Sequence, residues 1–405
     1  MSAQTQPELT EGAVRELSAG LDEPDWLLET RLEAFRALDD LEFPSVIRTP
    51  GRRWTNLEAL DFESLVDADQ QREDKERVAP DEVTVLSWAE AVDEHEALLE
   101  DHFGSVIDPQ ENRLVALSTA LFSSGTVIHV PAGVDAEDVT VRTTMHDRSL
   151  FNYTLVVTEE SSSATIQERQ ETGDDCDGNR YYSGLVELVA GENSTVQYGA
   201  LQNLSEETYN YTLKRGRTDT YATANWIEGN LGSRLTKTTV GTELAGDGSE
   251  TSIVGAFYGH GDQHFDLDSR VWHQGEHTTA DLVTRGVIDD RARSVYEGTQ
   301  VVEREAWDTS SYQRENTLML SDESEADASP KLIINNHDTE ASHSASVGQI
   351  DREDLLYMMT RGVGERPAKT MLVAGFFVPV LEEVAVEELR EDLRAGIDAR
   401  LRSRE

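Results

Sequence analysis

From residue 126 to about residue 346 the sequence consists of short runs rich in Val, Thr, Tyr and Ile, separated by Gly, Asp, Asn and Ser. Examples are residues 139–144, 153–158, 164–168, 185–189, 195–198 and 253–258. Runs of this kind between turn formers are typical of strands. So long a succession of strands, with little helical spacing, predicts an all-β body. A sandwich, a propeller and a β-helix are all compatible with it.

Four polar turn segments each precede a strand, as in a solenoid of stacked coils. They are residues 160–163, 191–194, 246–249 and 289–292. Their spacing is uneven, so periodicity alone favours a β-helix only weakly.

The segments on either side of this body have the apolar spacing of helices. We therefore expect an amino-terminal helical region, a β core and a carboxyl-terminal helical region, residues 1–125, 126–346 and 347–405. The expected helices are residues 11–21, 25–41, 87–103, 112–121, 352–361, 367–377 and 382–402.

The chain is strongly acidic, with 79 Asp and Glu against 35 Lys and Arg and a formal net charge of -44. Self-repulsion of this size is largely screened near 1 M salt, where the Debye length is about 3 Å. The acidic residues are distributed along the whole sequence, which indicates adaptation to molar salt, a halophilic composition. The absence of a long basic run argues against binding to nucleic acids or anionic membranes.

Cys176 is the only cysteine, so an intramolecular disulfide is impossible. The acidic turn around it disfavours a reactive thiolate, and a silent thiol is preferred over a ligand or sulfur carrier. The first residues lack a basic and apolar leader, and no apolar run approaches the roughly 18 residues of a membrane span. A cytoplasmic protein is the simplest expectation.

His343 lies in a polar segment, residues 340–346. A strand-like run, residues 331–335, precedes this segment, and an amphipathic helix, residues 351–359, follows it. A side chain that titrates near neutrality, displayed on such a turn, suits a metal ligand or a proton-transfer group. The alternative is that His343 caps or packs the turn.

Four further histidines, His260, His264, His273 and His277, have spacings of four, nine and four. On a helix the four-residue pairs would converge on one metal ion. The segment is strand-like, however, and residues four apart in a strand are about 13 Å apart. A stacked or surface role is therefore preferred over a zinc site.

Several segments, in order along the chain, resemble the signatures of the SufB/SufD family, the paired scaffold subunits of the SUF iron-sulfur cluster assembly machine. They are residues 23–32, 51–57, 128–134, 296–298 and 342–348, the last followed by Arg361 and Gly362. The resemblance implies a right-handed parallel β-helix core flanked by helices. The resemblance therefore favours the β-helix over the sandwich and the propeller.

The resemblance also implies roles for single residues. His343 matches the histidine that SufD contributes to its interface with SufB, where the nascent cluster is thought to form. Apart from the resemblance, His337 and Asp338 lie near His343 in the sequence and could orient it, or could instead pack in a solvent-exposed loop. Glu315 stands about where SufB has a cysteine, which favours SufD over SufB. A single cysteine cannot supply the four ligands of a cluster. We therefore expect a transient cluster that is shared with a partner chain, with metal bound through His343. We expect no cofactor to be held by this chain alone.

The sequence contains no nucleotide-binding Gly-x-x-x-x-Gly-Lys-Ser/Thr loop, so any ATPase must be a separate subunit. The resemblance implies that the last helices dock SufC, an ABC-type ATPase, and Phe376, Phe377 and Val378 are the candidate contacts. An ordinary packed hairpin is the alternative for these residues.

The expected function is thus that of a non-catalytic SufD-like subunit, which pairs with SufB, binds SufC and forms a possible homodimer in isolation. The competing hypothesis is a stand-alone β-helix enzyme or binding protein acting on polysaccharides. Asp266 and Asp268, two residues apart and therefore on one face of a strand, are a candidate pair of carboxylates for it, although acidic residues are so abundant that such a pair is uninformative.

Overall fold

The computed structural model describes residues 9–46, 48–49, 52–67, 71–173, 178–384 and 386–402. Cys176 and Gly51, which the sequence analysis singled out, lie outside these ranges.

β-Strand is the commonest secondary structure of the described chain. The strands are β1 Arg48–Thr49, β2 Arg52–Arg53, β3 Glu73–Val78, β4 Thr84–Ser87, β5 Ser124–Val130, β6 Asp135–Met145, β7 Ser149–Thr158, β8 Ser163–Thr172, β9 Arg180–Ala190, β10 Thr195–Asn203, β11 Thr208–Thr218, β12 Thr223–Asn230, β13 Leu235–Leu244, β14 Glu250–Gly259, β15 His264–His273, β16 Thr279–Ile288, β17 Arg293–Val302, β18 Thr309–Met319, β19 Glu325–Ile334 and β20 Thr339–Gln349. From β5 to β18, each strand pairs in parallel with the second strand after it in the chain.

β1 and β2 form a separate two-stranded sheet, and the other strands form two nine-stranded sheets between which the chain alternates. Sheet I holds β3 and the even-numbered strands β6 to β20, and sheet II holds β4 and the odd-numbered strands β5 to β19. This is a parallel β-solenoid, which confirms the predicted β-helix and excludes a sandwich or a propeller. β3 and β4 pair antiparallel with β6 and β5 and complete the first coil.

The expectation of a mostly helical first 125 residues is wrong for β3 and β4. The sequence of Glu73–Val78 is almost entirely charged and lacks the apolar alternation that identifies a half-buried strand. Its inward position is instead taken by Lys75, whose side chain is buried among polar groups.

Turns stack along one edge of the solenoid. The amides of Ser161 and Asn193 donate to backbone carbonyls one coil later, at 2.9 Å in both cases. Three of the predicted turn segments lie on this edge, whereas residues 289–292 lie on the other edge, between β16 and β17. The uneven spacing in the sequence thus comes from mixing two edges of a regular solenoid and from omitting the turn between β11 and β12.

The helices that precede the solenoid pack on the outer face of sheet II. They are α1 Glu11–Gly20, α2 Asp25–Ala37, α3 Phe62–Leu65, α4 Trp88–Glu94, α5 Glu96–His102 and α6 Arg113–Leu121, with a 3-10 turn at Leu57–Ala59. The helix expected over residues 87–103 is two helices, because the backbone leaves the helical conformation at His95 (φ -135°, ψ 36°). Trp88 and Phe122 join Tyr153 of the sheet in one aromatic cluster.

Three helices follow the solenoid: α7 Arg352–Thr360, α8 Glu365–Glu383 and α9 Glu387–Arg402. α8 and α9 return along sheet I and bury Phe377, Leu389 and Leu393 against it. α7 buries none of its residues. Among the helices of the described residues, none is long and apolar enough to cross a membrane.

Candidate functional site at the last coil

His343 lies in the middle of β20, directly opposite Gln313 of β18. The expected polar turn is therefore a strand. Residues 340–346 do not read as a strand because they are small and polar rather than alternately apolar. β20 nevertheless pairs with β18 over its whole length.

The side chain of His343 occupies an inward-facing position. Alternate residues of β18, among them Gln313 and Glu315, are buried inside the solenoid. Parallel strands in register place paired residues on the same face, so His343 and Ala345 face the same way as Gln313 and Glu315. His343 is nevertheless exposed, because β19 and β20 are the last strands of their sheets.

We call this last coil, residues 325–349, the open end of the solenoid. Apolar side chains are exposed there, including Ile333, Ile334 and Val347. The outer edges of β19 and β20 end the two sheets. Unpaired sheet edges and exposed apolar residues together are typical of a surface on which another chain can pack.

Glu315 lies one strand inward from the open end and is 1% exposed. The Thr317 hydroxyl donates to Glu315 Oε1, whereas Glu315 Oε2 has no hydrogen-bond partner among the described residues. Burial raises the pKa of Glu315 to about 7, although the Thr317 hydroxyl and the Ser346 backbone amide oppose that rise. A carboxyl group that can gain or lose a proton near neutrality thus lies close to His343.

Two buried glutamines occupy inward positions of the neighbouring strands, Gln313 on β18 two residues before Glu315 and Gln300 on β17 of the other sheet. Gln300 and Gln313 both have amide atoms without a hydrogen-bond partner among the described residues. Gln313 reaches across the interior to Gly298, where a Cβ atom would collide with its amide group. Sequence reasoning did not identify these glutamines, although every inward position of Thr309–Thr317 is polar, which is unusual for a buried strand face.

His337 and Asp338 lie in the turn before β20 and not beside His343. Asp338 is five residues from His343 along an extended chain, a separation of about 16 Å. Its backbone carbonyl accepts a hydrogen bond from the Thr309 amide at 3.2 Å. The structure therefore gives no geometric support to an orienting role for these two residues.

The three candidate ATPase contacts differ in exposure. Phe377 is fully buried against sheet I, which removes it from any docking surface. Phe376 is half-buried, with the Arg285 guanidinium 5.0 Å above its ring, and Val378 is 37% exposed. Larger exposed apolar side chains nearby are Leu356 at 62% and Met371 at 57%, on α7 and α8.

The four clustered histidines each have their own partner. The partners are Glu206 for His260, Thr55 for His264, Thr278 and Ser311 for His273, and Asp308 for His277. Burial lowers the pKa of His264 and of His273 to about 4, so both rings are neutral at pH 7. No group of three or more His, Cys, Asp or Glu side chains suited to a metal ion occurs in the described part of the chain.

Asp266 and Asp268 face outward from sheet II, beneath the amino-terminal region. Asp266 accepts a hydrogen bond from Lys237 Nζ at 2.8 Å, and Asp268 pairs with Arg270. Both carboxylates are buried and held in ion pairs. They lack the open groove that two carboxyl groups need in order to cleave a polysaccharide.

Comparison with known proteins gives two family matches. Residues 55–141 match the SufBD protein N-terminal region, and residues 141–376 match the SufBD core domain of SUF system FeS cluster assembly. The chain is 29% identical to the iron-sulfur cluster assembly protein SufD of Bacillus subtilis, over 99% of this chain and 100% of that protein. It is 26% identical to SufB of the same organism and 28% identical to a SufBD family protein of Synechocystis sp., each over 94% of this chain and 90% of the relative.

Proposed function

Because the chain belongs to the SufBD family of iron-sulfur cluster assembly proteins, we propose that it is the SufD-like subunit of a cytoplasmic SUF complex. In this proposal it pairs with a SufB-like chain, binds a SufC-like ATPase and catalyses no reaction itself. The full-length similarity to SufD carries the proposal.

The open end is the proposed surface for the SufB-like partner. The edges of β19 and β20 offer backbone hydrogen-bonding groups, and Ile334 and Val347 offer apolar contact area. A second solenoid with its own last coil could cover both, by pairing strands and burying the apolar residues. In the absence of that partner, the same surface would support a homodimer.

His343 is the proposed interface ligand or proton acceptor in cluster assembly. An exposed imidazole on an inward-facing position of the last coil can reach a group held by a chain packed on the open end. With one cysteine in the sequence, this chain needs cluster ligands from elsewhere. The cluster is therefore proposed to be transient and shared.

The exposed face of α7 and α8 is the proposed surface for the ATPase. It includes Leu356, Met371 and Val378, all with substantial exposed area. Phe377 has no place in this surface because it belongs to the core beneath α8.

Co-purification in molar KCl, after co-expression with the SufB-like and SufC-like proteins of the same organism, tests the proposal. We expect a ternary complex, and we expect Met371→Asp combined with Leu356→Asp to release the ATPase while the SufB-like chain stays bound. Tyr221→Asp is the matched control, because Tyr221 is also a large exposed side chain but lies in a turn of the solenoid. Purification of the wild-type chain free of both partners would refute the proposed function.

A stand-alone enzyme acting on polysaccharides is the weaker alternative. Its candidate carboxylates, Asp266 and Asp268, are buried in ion pairs. No observation on the described residues favours it.

A further inference from the structure

A surface cleft of about 500 Å³ lies between the start of α9 and the outer face of sheet I. We call it the α9 cleft. Its lining consists of Val386, five acidic residues and three neutral polar residues, namely Glu137, Asp138, Glu387, Glu388 and Glu391, with Thr165, Gln167 and Gln197. Among the described residues that line the cleft, none is a lysine or an arginine.

The two acidic residues on the sheet side are placed by an irregularity in β6. The register of β6 against β8 shifts between Ala136 and Val139. Glu137 and Asp138 therefore oppose a single residue of β8, Thr165. A β-bulge of this kind changes the direction of side chains, and here two successive carboxylates line the same cleft.

Most of the carboxylates in the cleft have no counter-charge among the described residues. Glu388 is the exception, since it accepts hydrogen bonds from Arg142 at 3.3 Å and from Arg169 at 2.7 Å. The carboxylates without an ion pair to another described residue are those of Glu137, Asp138, Glu387 and Glu391. Like charges gathered in a partly enclosed cleft repel each other, and a cation between them would relieve that repulsion.

A buried amide at the floor of the cleft points to a ligand independently of the carboxylates. Gln167 is 1% exposed, and its Oε1 atom has no hydrogen-bond partner among the described residues. The helix α9 covers it, because Gly199, its neighbour in register on β10, lies so close to Leu389 that a Cβ atom would collide with that side chain. Buried polar atoms are nearly always paired in proteins, so this oxygen marks a place for a donor.

The chemistry of the lining narrows the choice of ligand. Carboxylate and amide oxygens suit hard divalent cations, and Mg²⁺ usually keeps several of its water molecules when it binds. Six water molecules at about 30 Å³ each need roughly 180 Å³. The α9 cleft is larger than that, so a hydrated ion can donate hydrogen bonds through its water to Gln167 Oε1 and to carboxylates on both sides.

Binding through water does not require several carboxylates to converge on one point. It is therefore compatible with the finding that the described residues contain no group of three or more His, Cys, Asp or Glu side chains suited to a metal ion.

We propose that the α9 cleft binds a hydrated divalent cation of the Mg²⁺ class, which holds the start of α9 on sheet I through its water shell. The site is independent of the proposed function, because its residues belong neither to the open end nor to the exposed face of α7 and α8. Release of the cation would leave like charges facing each other and would loosen the start of α9.

Hydrogen exchange of the full chain, measured by mass spectrometry, tests the site because it reports the start of α9 separately from other acidic surfaces. Mg²⁺ is added in molar KCl, and the KCl is lowered to keep the ionic strength constant. The variants are Glu137→Gln combined with Glu391→Gln, and Gln167→Met, which keeps the net charge. The matched control is Glu303→Gln combined with Glu305→Gln, since these are two exposed glutamates in the turn between β17 and β18.

We expect Mg²⁺ at ten times its dissociation constant to slow the exchange of residues 386–393 about tenfold, in the wild type and in the control alike. The variant with Glu137→Gln and Glu391→Gln should lose this effect, and its exchange without Mg²⁺ should be slower than that of the wild type, because neutralisation removes the repulsion. Gln167→Met should weaken the effect of Mg²⁺ without speeding exchange in its absence, which separates a lost ligand from a lost structure.

Cobalt(III) hexammine, whose ligands do not exchange, serves as a second probe and should replace Mg²⁺ in the wild type. An equal effect of Mg²⁺ in the wild type and in the variant with Glu137→Gln and Glu391→Gln would overturn the site, as would a wild type that does not respond to Mg²⁺. Protection by Mg²⁺ but not by cobalt(III) hexammine would overturn binding through water.

Discussion

The two ends of the solenoid differ in how their buried ionisable groups are matched by charges of the same chain. At the beginning, β3 and β4 complete the first coil, and the buried Lys75 ammonium pairs with Glu73 and donates to Asn152 at 2.6 Å. At the open end, β19 and β20 are the last strands of their sheets, and one strand inward, on β17 and β18, Gln300, Gln313 and Glu315 keep buried atoms without hydrogen-bond partners among the described residues.

The difference is whether the same chain supplies a counter-charge for a buried ionisable group. A buried charge is tolerated when the same chain supplies its counter-charge, as Lys214 does for Glu168 and Glu228. A protein that leaves polar groups unsatisfied loses stability, and such violations concentrate at functional sites. Glu315 has no such counter-charge among the groups that shift its pKa.

The largest expected effect comes from removing a paired charge in the middle of the solenoid. Lys214→Met leaves the Glu168 and Glu228 carboxyl groups buried without their cation, and we expect a loss of about 3–5 kcal/mol in the free energy of unfolding. Chemical denaturation in molar KCl measures it. Adding Glu228→Gln should restore part of the loss, whereas Lys331→Met, at an exposed pair with Glu297, should cost no more than about 1 kcal/mol. A Lys214→Met variant as stable as wild type would contradict the comparison.

The second prediction concerns pH at the open end. In the folded chain the pKa of Glu315 is about 7, above its ordinary value of 4.5, so the folded state holds a proton that the unfolded state has lost. This contribution is therefore fully present below pH 4.5 and is lost as pH rises toward and through 7, about 3 kcal/mol in total at 1.36 kcal/mol per unit. Glu315→Gln should match the stability of the wild type near pH 4.5 and exceed it by about that amount at pH 8.

Denaturation midpoints of the two proteins across this pH range provide the measurement. Glu340→Gln serves as the control, because an exposed carboxylate on the same strand as His343 should not alter the pH profile. Parallel profiles for wild type and Glu315→Gln would show that the carboxyl group titrates normally in the folded chain.

The architecture was largely predictable from sequence, because strand runs and turn residues act locally and the family motifs gave their order. β3 was missed because strands are recognised by apolar residues at their inward positions, and an inward position of β3 is occupied by the charged Lys75. β20 was read as a turn because a last coil has no next layer to pack, so its inward residues, Ala341, His343 and Ala345, need not be large and apolar.

The site residues were only partly predictable, since burial depends on which face of an element meets its neighbour. Phe376 and Phe377 are adjacent in a helix, so their side chains diverge by about 100° and only one can point into the core. The structure buries Phe377 and leaves Phe376 at the margin. The roles of His343 and of the docking residues stay predictions, whereas the fold and the family are confirmed.

The smallest expected effect compares one glycine at each end. Gly125→Ala would bring a Cβ atom within 2.9 Å of Trp88 Cβ, in an aromatic cluster that cannot shift, and we expect a loss of about 2–3 kcal/mol. Gly298→Ala would meet only the flexible amide of Gln313, which lacks partners that would hold it, so about 1 kcal/mol is expected. Adding Gln313→Ala should remove that cost, because the collision involves this side chain alone. If Gly298→Ala proves as destabilising as Gly125→Ala, the interior of the open end is as rigid as the aromatic cluster, and the contrast between the two ends lies in their charges alone.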